Sequence, residues 1–427
     1  MLAHSVKIIQ TKNVARDFTS GPRTWHTTKI MNSKTGIYLV IGLVMYLTAA
    51  GISYSIFRGL GKVQPGISQA TPTPAPKSKR PTIDPAIPRT EVCLLNGLLY
   101  TKQEKDIWVT RRPLAVMIEN SADSRPQSGL SYADIVYEAV AEGGISRFMG
   151  LFYCGVASAG NLTLAPVRSA RIYFVNIVPE YDPLYVHVGG AGNCDDPNVD
   201  PKAKALCAIQ QYKIKDMDQM GRAGDFKTCH RLTNRLDKEV AWEHTMACFV
   251  EELAKSGAKW GWTNVDKNGV SWDKNFVSWK FKTDSDKVTG ASAKNISYMF
   301  WEYNREFNGD YDVSWEYQPA SNSYRRSNGG KVSIDLETEE PLLFKNVVIQ
   351  YAKETFLQDL EKHLLYDVIG TGKAKIFMDG VVIDGTWAKA SKSARTIFKD
   401  SAGKEIKFNP GPIWISILPS TNTVTYN

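Results

Sequence analysis

Acidic, basic and imidazole side chains stand at the ends of apolar runs in the first half of this 427-residue chain. Glu138 and Glu142 are four positions apart, a spacing that would place both carboxylates on one face of a helix. Two carboxyl groups about 5–10 Å apart can cleave a glycosidic bond, one as the acid and the other as the nucleophile or base. His187, beside a Gly-Gly pair, and His244 complete the predicted catalytic set.

A second set of residues is suited to binding a ligand rather than to transforming it. Arg168 and Arg171 flank Ser169 at a predicted helix start, where backbone N–H groups and guanidinium groups favour an anion. Each candidate also has a structural alternative, because the glutamates could pair with arginines and the histidines could be hydrogen-bonded core residues. The predicted binding residues are Glu119, Asn120, Arg147, Arg168 and Arg171.

Three functions are compatible with these residues. The first is that the chain engages an envelope glycan, such as peptidoglycan. The second is a non-catalytic binding or scaffolding module, in which the arginines hold an anionic polymer or a protein partner and the tryptophans pack or stack (Trp301, Trp315, Trp387 and Trp414). The third is a metal-dependent hydrolase that uses His187, His244 and a glutamate, although the sequence has no HExxH motif. The sequence leaves open whether the protein is an enzyme, and it predicts no cofactor.

The elements that would position the candidates alternate between strands and helices. Residues 111–120 and 145–154 have the short apolar runs of buried strands. Residues 131–144 show apolar positions at helical spacing, after a possible Ser131 cap and before a Gly-Gly pair, which predicts a helix. Residues 168–191 predict a helix followed by a strand. Such alternation indicates an α/β-layered first domain, assigned to residues 91–255.

The pattern of apolar and turn residues changes near residue 300. Short strand-like runs are separated by Asn-Gly, Gly-Gly and Asp-Gly pairs, and Asp379-Gly380 is a strong hairpin signal. These features predict a mostly β second domain over residues 300–427, after a connector at 256–299. The predicted fold class is therefore α+β.

An apolar segment near the amino terminus predicts a membrane anchor. Residues 37–57 contain no charged side chain and are long enough to cross a bilayer as one helix. The basic tail, residues 1–36, places the amino terminus in the cytoplasm and the folded domains outside it. Residues 58–90 are rich in proline and predict a linker. A cleaved signal peptide is the alternative, and translation could start at Met1 or Met31.

Charge and cysteine usage narrow the possible partners and the compartment. The net charge is +8, but much of the excess lies in the basic tail. The sequence has no basic stripe interleaved with aromatic residues, so it predicts no binding to nucleic acid. All six cysteines lie between Cys93 and Cys248. An even number in an exported domain predicts at least one disulfide and as many as three. The absence of a CxxC pair disfavours a zinc ribbon or a thioredoxin-type site.

Several segments resemble a known family. Residues 119–148, 165–174 and 185–191 resemble the amino-terminal domain of the YerB-like envelope proteins, and residues 323–350 and 383–419 resemble their carboxy-terminal domain. The family is largely a domain pair of unknown function whose members are typically envelope lipoproteins, so the resemblance implies an extracytoplasmic location. This chain departs from that pattern because its apolar segment ends without a lipobox cysteine, which predicts anchoring by a helix.

Overall fold

The chain divides into two units, Met1–Thr73 and Pro74–Asn427. The computed structural model describes Met45, Thr48, Asp84 and residues 86–221, 224–302 and 309–427. In the first unit, the two described residues are helical, and the rest of the predicted membrane segment, 37–57, lies outside the described residues. Within the part of the chain that the structure describes, no helix has the length and apolar character needed to span a membrane.

The second unit is mostly β structure. Its strands, within the described ranges, are β1 Arg89–Val92, β2 Leu99–Thr101, β3 Leu114–Glu119, β4 Ile135–Val140, β5 Ser146–Phe152, β6 Thr163–Leu164, β7 Leu184–His187, β8 Lys215–Asp218, β9 Cys229–Arg231, β10 Met246–Phe249, β11 Lys280–Phe281, β12 Ala291–Ser292, β13 Asn295–Met299, β14 Asp312–Gln318, β15 Ser323–Asn328, β16 Lys331–Val332, β17 Leu343–Phe344, β18 Asn346–Ala352, β19 Glu354–Phe356, β20 Leu364–Tyr366, β21 Gly370–Met378, β22 Val381–Lys389, β23 Ile397–Asp400, β24 Lys407–Phe408, β25 Ile413–Pro419 and β26 Val424–Tyr426.

The helices of this unit are short. They are α1 Lys102–Trp108, α2 Ile172–Val175, α3 Ala205–Gln211 and α4 Val250–Lys259. Thr101 caps α1 in a capping box with Glu104, which satisfies two of the free backbone N–H groups at the helix start. The α/β layering that the sequence predicts for the first domain is therefore reduced to a few short helices beside a large sheet.

An eleven-stranded sheet forms the centre of the second unit, with the order β12-β22-β21-β18-β25-β4-β5-β3-β7-β8 and with β23 paired to β22. Strand β25, near the end of the chain, lies between β18 and β4 and is parallel to both. The regions predicted as two domains thus share one sheet. A six-stranded sheet, β16-β15-β14-β13-β26 with β17, packs on it through Trp315, Phe344 and Trp414, whose rings make edge contacts. All three side chains are buried.

The predicted helix at residues 131–144 is wrong. Residues Ile135–Val140 form β4, and every residue of that strand is buried. A central strand that is covered on both faces has a continuous apolar run instead of an alternating one, so its apolar positions also match helical spacing. The predicted helix within 168–191 is only the four residues of α2, whereas the strand that follows it is β7.

Other predictions from the sequence are confirmed. Residues 111–120 and 145–154 contain β3 and β5, and the region after 300 is mostly β. Asp379 and Gly380 form the two-residue turn between β21 and β22, and both have the positive φ angles of a hairpin turn, 57° and 77°. All six cysteines form disulfides, which join Cys93 to Cys154, Cys194 to Cys207, and Cys229 to Cys248.

Candidate functional site

Most of the predicted site residues lie at one edge of the large sheet. Strands β3, β4, β7 and β8 all run in the same direction, so their carboxyl ends meet at this edge, together with the start of the antiparallel β5. We call it the carboxyl edge. Open sheets with parallel strands commonly bind ligands here, because loops leave the sheet at this end. The predicted residues near it are Glu119, Asn120, Glu142, Arg147, Arg168, Arg171, His187 and His244.

Glu138 is placed differently from the other candidates. It lies inside β4, is fully buried, and pairs with Arg326 of β15 at 2.9 and 3.0 Å. Its oxygens also accept hydrogen bonds from Ser146 Oγ at 2.7 Å and Trp414 Nε1 at 3.0 Å. The two glutamates therefore do not share a helix face, since Glu138 belongs to a strand and Glu142 to the 3₁₀ turn after it. Glu138 holds the two sheets together.

Glu119, His244 and Arg168 form a first polar group on the carboxyl edge. The carboxylate of Glu119 is buried, and its Oε2 lies 2.7 Å from His244 Nδ1. Its Oε1 lies 3.0 Å from Arg168 Nε, although the buried Nε–H does not have the alignment of a hydrogen bond. Arg168 Nη1 donates to the carbonyl of Glu243 at 3.3 Å. A 3₁₀ turn, Trp242–His244, brings the imidazole to this position.

Glu142 and Arg171 form a second polar group. Arg171 donates from Nε and Nη2 to the two carboxylate oxygens of Glu142. Burial alone would raise the pKa of Glu142, but the charge and hydrogen bonds of Arg171 outweigh it and lower the pKa to about 2. His363 Nε2 lies 3.8 Å from Glu142 Oε1, and its Nδ1 lies 2.7 Å from Asp359 Oδ2. His363 belongs to the β19–β20 loop, so the carboxy-terminal half completes this group.

Arg147 lies between the two polar groups. It is directly opposite Glu119 in the β3–β5 ladder, and its Nη1 donates to the carbonyl of Ser169 at 3.0 Å. The side chain is buried, and burial together with the charge of Arg171 lowers the pKa of Arg147 to about 10. The guanidinium therefore stays protonated at neutral pH.

The other two candidates are held by structural hydrogen bonds. Asn120 donates to Ser146 Oγ and to Asn328 Oδ1, each at 2.8 Å, and so joins β5 to β15. His187 is fully buried at the end of β7; its Nε2 lies 2.9 Å from Asp216 Oδ1 and its Nδ1 lies 2.8 Å from the carbonyl of Gly189.

The residues predicted for a metal site do not form one group. His187 and His244 bind different carboxylates. Among the described residues, the group with metal-ligand spacing consists of Cys93, Asp134 and Cys154. Both of those cysteines are in one disulfide, so neither offers a thiolate.

An exposed aromatic side chain next to the first polar group is Trp242, which the sequence did not single out. It is 65% exposed, and the guanidinium of Arg231 lies over its ring at 4.7 Å. Trp242 is two residues before His244, and the carbonyl oxygen of the intervening Glu243 accepts from Arg168, so the indole borders the first polar group. Its position in WEHTMAC was visible in the sequence, but its exposure could not be read there.

A large concavity lies away from these groups. It is an open groove of about 1210 Å³ in the carboxy-terminal half, lined by residues of β18, β21 and β22, including Tyr351, Lys373 and Trp387. None of the predicted catalytic or binding residues lines it, although Trp387 is one of the tryptophans considered for a binding module. The carboxyl edge is a set of mostly buried charged groups, whereas this groove is a separate concavity.

Comparison with known proteins identifies the family. Residues 95–238 match the domain described as "Protein of unknown function (DUF3048) N-terminal domain", and residues 303–415 match its C-terminal domain. The chain is 29% identical over 345 residues to YerB, a candidate lipoprotein of Bacillus subtilis (strain 168), and the match covers 80% of this chain and 91% of YerB. The chain belongs to the YerB-like, two-domain DUF3048 family.

The fold of this family member also agrees with a solved structure. The crystal structure of the YerB protein from Bacillus subtilis matches with a TM-score of 0.60 and 26% identity, over 79% of this chain and all of that chain (100%). The first family domain contains Glu119, Arg147 and Arg168, whereas Arg326 and His363 come from the second. Both family domains therefore contribute to the polar contacts at and beneath the carboxyl edge.

Proposed function

We propose that this chain is a membrane-anchored envelope protein whose second unit lies outside the cytoplasm and binds an envelope glycan, peptidoglycan, at the carboxyl edge. Three observations support the location. YerB is described as a candidate lipoprotein, residues 37–57 form an uncharged run of membrane-spanning length, and all six cysteines pair, as is usual in oxidising compartments.

The exposed indole of Trp242 beside the first polar group is the observation that carries the binding proposal. The C–H faces of a sugar ring are apolar and pack on aromatic rings, while its hydroxyl groups need charged or polar partners nearby. Trp242 has one ring face covered by Arg231 and remains 65% exposed. Arg168, which donates to the carbonyl of the neighbouring Glu243, and His244, two residues after Trp242, supply polar partners for hydroxyl groups.

The same geometry favours binding over cleavage. A glycosidase acid must keep its proton at neutral pH, which requires a raised pKa. Arg171 instead lowers the pKa of Glu142 to about 2, so this carboxyl group is ionised. Glu138 is buried and bonded to Arg326, Ser146 and Trp414, so it does not meet a solvent-borne substrate. We therefore propose the non-catalytic module of the alternatives that the sequence left open.

Sedimentation with purified peptidoglycan tests this proposal. Detergent-solubilised full-length protein should pellet with the polymer without releasing soluble fragments. Trp242→Ala should weaken this binding about tenfold, the effect of losing one well-packed aromatic contact worth about 1.4 kcal/mol. The control is Trp262→Ala, a partly buried indole that stacks on Trp260 just after α4. Helix α4 packs against Leu184 at the start of β7, at the opposite end of the strands, so this variant tests for loss of binding through lost stability. Equal binding by both variants would refute the site.

The location is tested separately in intact cells. Protease added outside should remove the mass of the second unit and leave a membrane-bound amino-terminal fragment. A chain that stays intact and fractionates away from the membrane would contradict the anchor.

A further inference from the structure

We propose that the ligand of the carboxyl edge presents an anionic group, a carboxylate or a phosphate, to Arg147 and Arg168. This inference rests on the proposed function and specifies the chemistry of the ligand. Arg147 and Arg168 are close, since Arg168 pairs with Glu119 and Arg147 stands opposite Glu119 in the ladder. The Arg147 side chain also bonds the carbonyl of Ser169, the residue after Arg168.

Hydrogen-bond donors remain on both arginines. Within the described ranges, the structure gives Arg147 one hydrogen bond, from Nη1 to Ser169, although a guanidinium has five N–H groups. Arg168 donates from Nη1, while its buried Nε has an ion-pair distance to Glu119 but no aligned hydrogen bond. Arg171 differs, because Nε, Nη1 and Nη2 all have acceptors on Glu142 or Ala170. Arg147 and Arg168 are therefore the two arginines of this edge with N–H groups available for a ligand.

The charges of the carboxyl edge also favour an anion. Arg171 is paired with Glu142 and Arg168 lies at ion-pair distance from Glu119, whereas Arg147 has no carboxylate at ion-pair distance among the described residues. Arg147 is 7% exposed, and a buried guanidinium group beside like charges is stabilised most by an opposite charge. The lowered pKa of Arg147 has the same cause, its burial and the charge of Arg171, and an anion between the arginines would raise it.

A structural role for the arginines is the competing explanation. Water would then satisfy the remaining donors, and neither arginine would respond to a dissolved anion. The two explanations differ in what sodium phosphate and sodium acetate should do at constant ionic strength, with chloride as the reference salt.

Thermal unfolding of the full-length protein in detergent measures this response. At ten times the dissociation constant, phosphate or acetate should raise the midpoint by about 2–3 °C relative to chloride. Arg168→Gln should weaken the apparent affinity for the anion about tenfold, and Arg147→Gln should abolish the response if it folds. The matched control is Arg111→Gln, since Arg111 is as exposed as Arg168, 27% against 26%, and pairs with Glu251 near the start of β3. No shift in the wild type, or the same shift in Arg168→Gln, would overturn the proposal.

Peptidoglycan sedimentation separates this inference from the proposed function. If Arg168→Gln pellets as well as the wild type while Trp242→Ala does not, the glycan site stands and the anion contact is refuted. Polymer stripped of attached phosphate chains, and polymer whose peptide carboxylates have been amidated, distinguish the two sources of anion. Loss of binding with one of them identifies the source, and undiminished binding to polymer treated in both ways contradicts the proposal.

Discussion

Replacing Glu138 by glutamine should destabilise the protein strongly, because the residue is a buried ion-pair partner. Glu138 and Arg326 are 0% and 2% exposed at their side chains, and their atoms are 2.9 Å apart. The Arg326 guanidinium lies over the rings of Trp414, Phe148 and Trp315 at 4.7, 5.4 and 5.9 Å, so it cannot turn toward water. The substitution therefore leaves a positive charge without its counter-ion inside the core.

The size of the effect follows from these contacts. Removing one partner of a buried ion pair costs about 3–5 kcal/mol. Glutamine keeps one acceptor oxygen for Ser146 or Trp414, so we expect a loss near the lower end, about 3 kcal/mol. For a chain of this size, that corresponds to a midpoint about 4 °C lower. Replacing both Glu138 and Arg326 by methionine should recover much of the loss, since no charge is then left buried.

Urea unfolding and thermal unfolding would measure the change. The matched control is Glu316→Gln, because Glu316 pairs with Arg325 on the neighbouring strand but both side chains are exposed, 53% and 36%. An exposed pair contributes little, so this variant should change stability by less than about 0.5 kcal/mol. A Glu138→Gln protein that unfolds like the wild type but no longer binds glycan would refute the structural role and return Glu138 to the ligand site.

Two further predictions concern the disulfides and the acid response. Replacing Cys229 and Cys248 by serine removes a disulfide that spans 19 residues and should lower the free energy of unfolding in urea by about 3 kcal/mol. Removing the Cys194–Cys207 disulfide, which spans 13 residues, should lower it slightly less. Equal stability with and without either disulfide would contradict this. Burial would raise the pKa of Glu142, but Arg171 lowers it from 4.5 to about 2. The ionised carboxylate should therefore stabilise the fold by at most about 3 kcal/mol above pH 4.5, and this stabilisation should disappear as the pH falls to about 2. Glu142→Gln should therefore be less stable than the wild type at neutral pH and approach it near pH 2, and a constant difference across that range would contradict the assignment.

Local sequence signals predicted the β elements better than the buried centre. The Asp379-Gly380 pair predicted its hairpin because only a few residue types tolerate positive φ at both turn positions. Residues Ile135–Val140 were misassigned to a helix because burial on both faces removes the alternation that marks a strand. Three of the six residues in that run, Ile135, Val136 and Val140, are β-branched, a composition that favours a strand.

The site was harder to predict because its partners are distant in the chain. The sequence placed polar residues at strand ends, and the structure brings many of them to one edge of the sheet. However, Arg326 is 188 residues from Glu138, and His363 comes from a loop of the other family domain, so no spacing rule could pair them. The exposure of Trp242 likewise depends on how the Trp242–His244 turn leaves the sheet.

The position of β25 makes the large sheet depend on a strand that is synthesised long after its neighbour β4. Trp414 of this strand contacts Glu138 across 276 residues, and β25 is the seam between β18 and β4. Without β25, strands β18 and β4 each have an open backbone edge, because β25 is the partner that joins them. A truncation after residue 412 therefore leaves two unpaired strand edges, which are templates for aggregation with other chains.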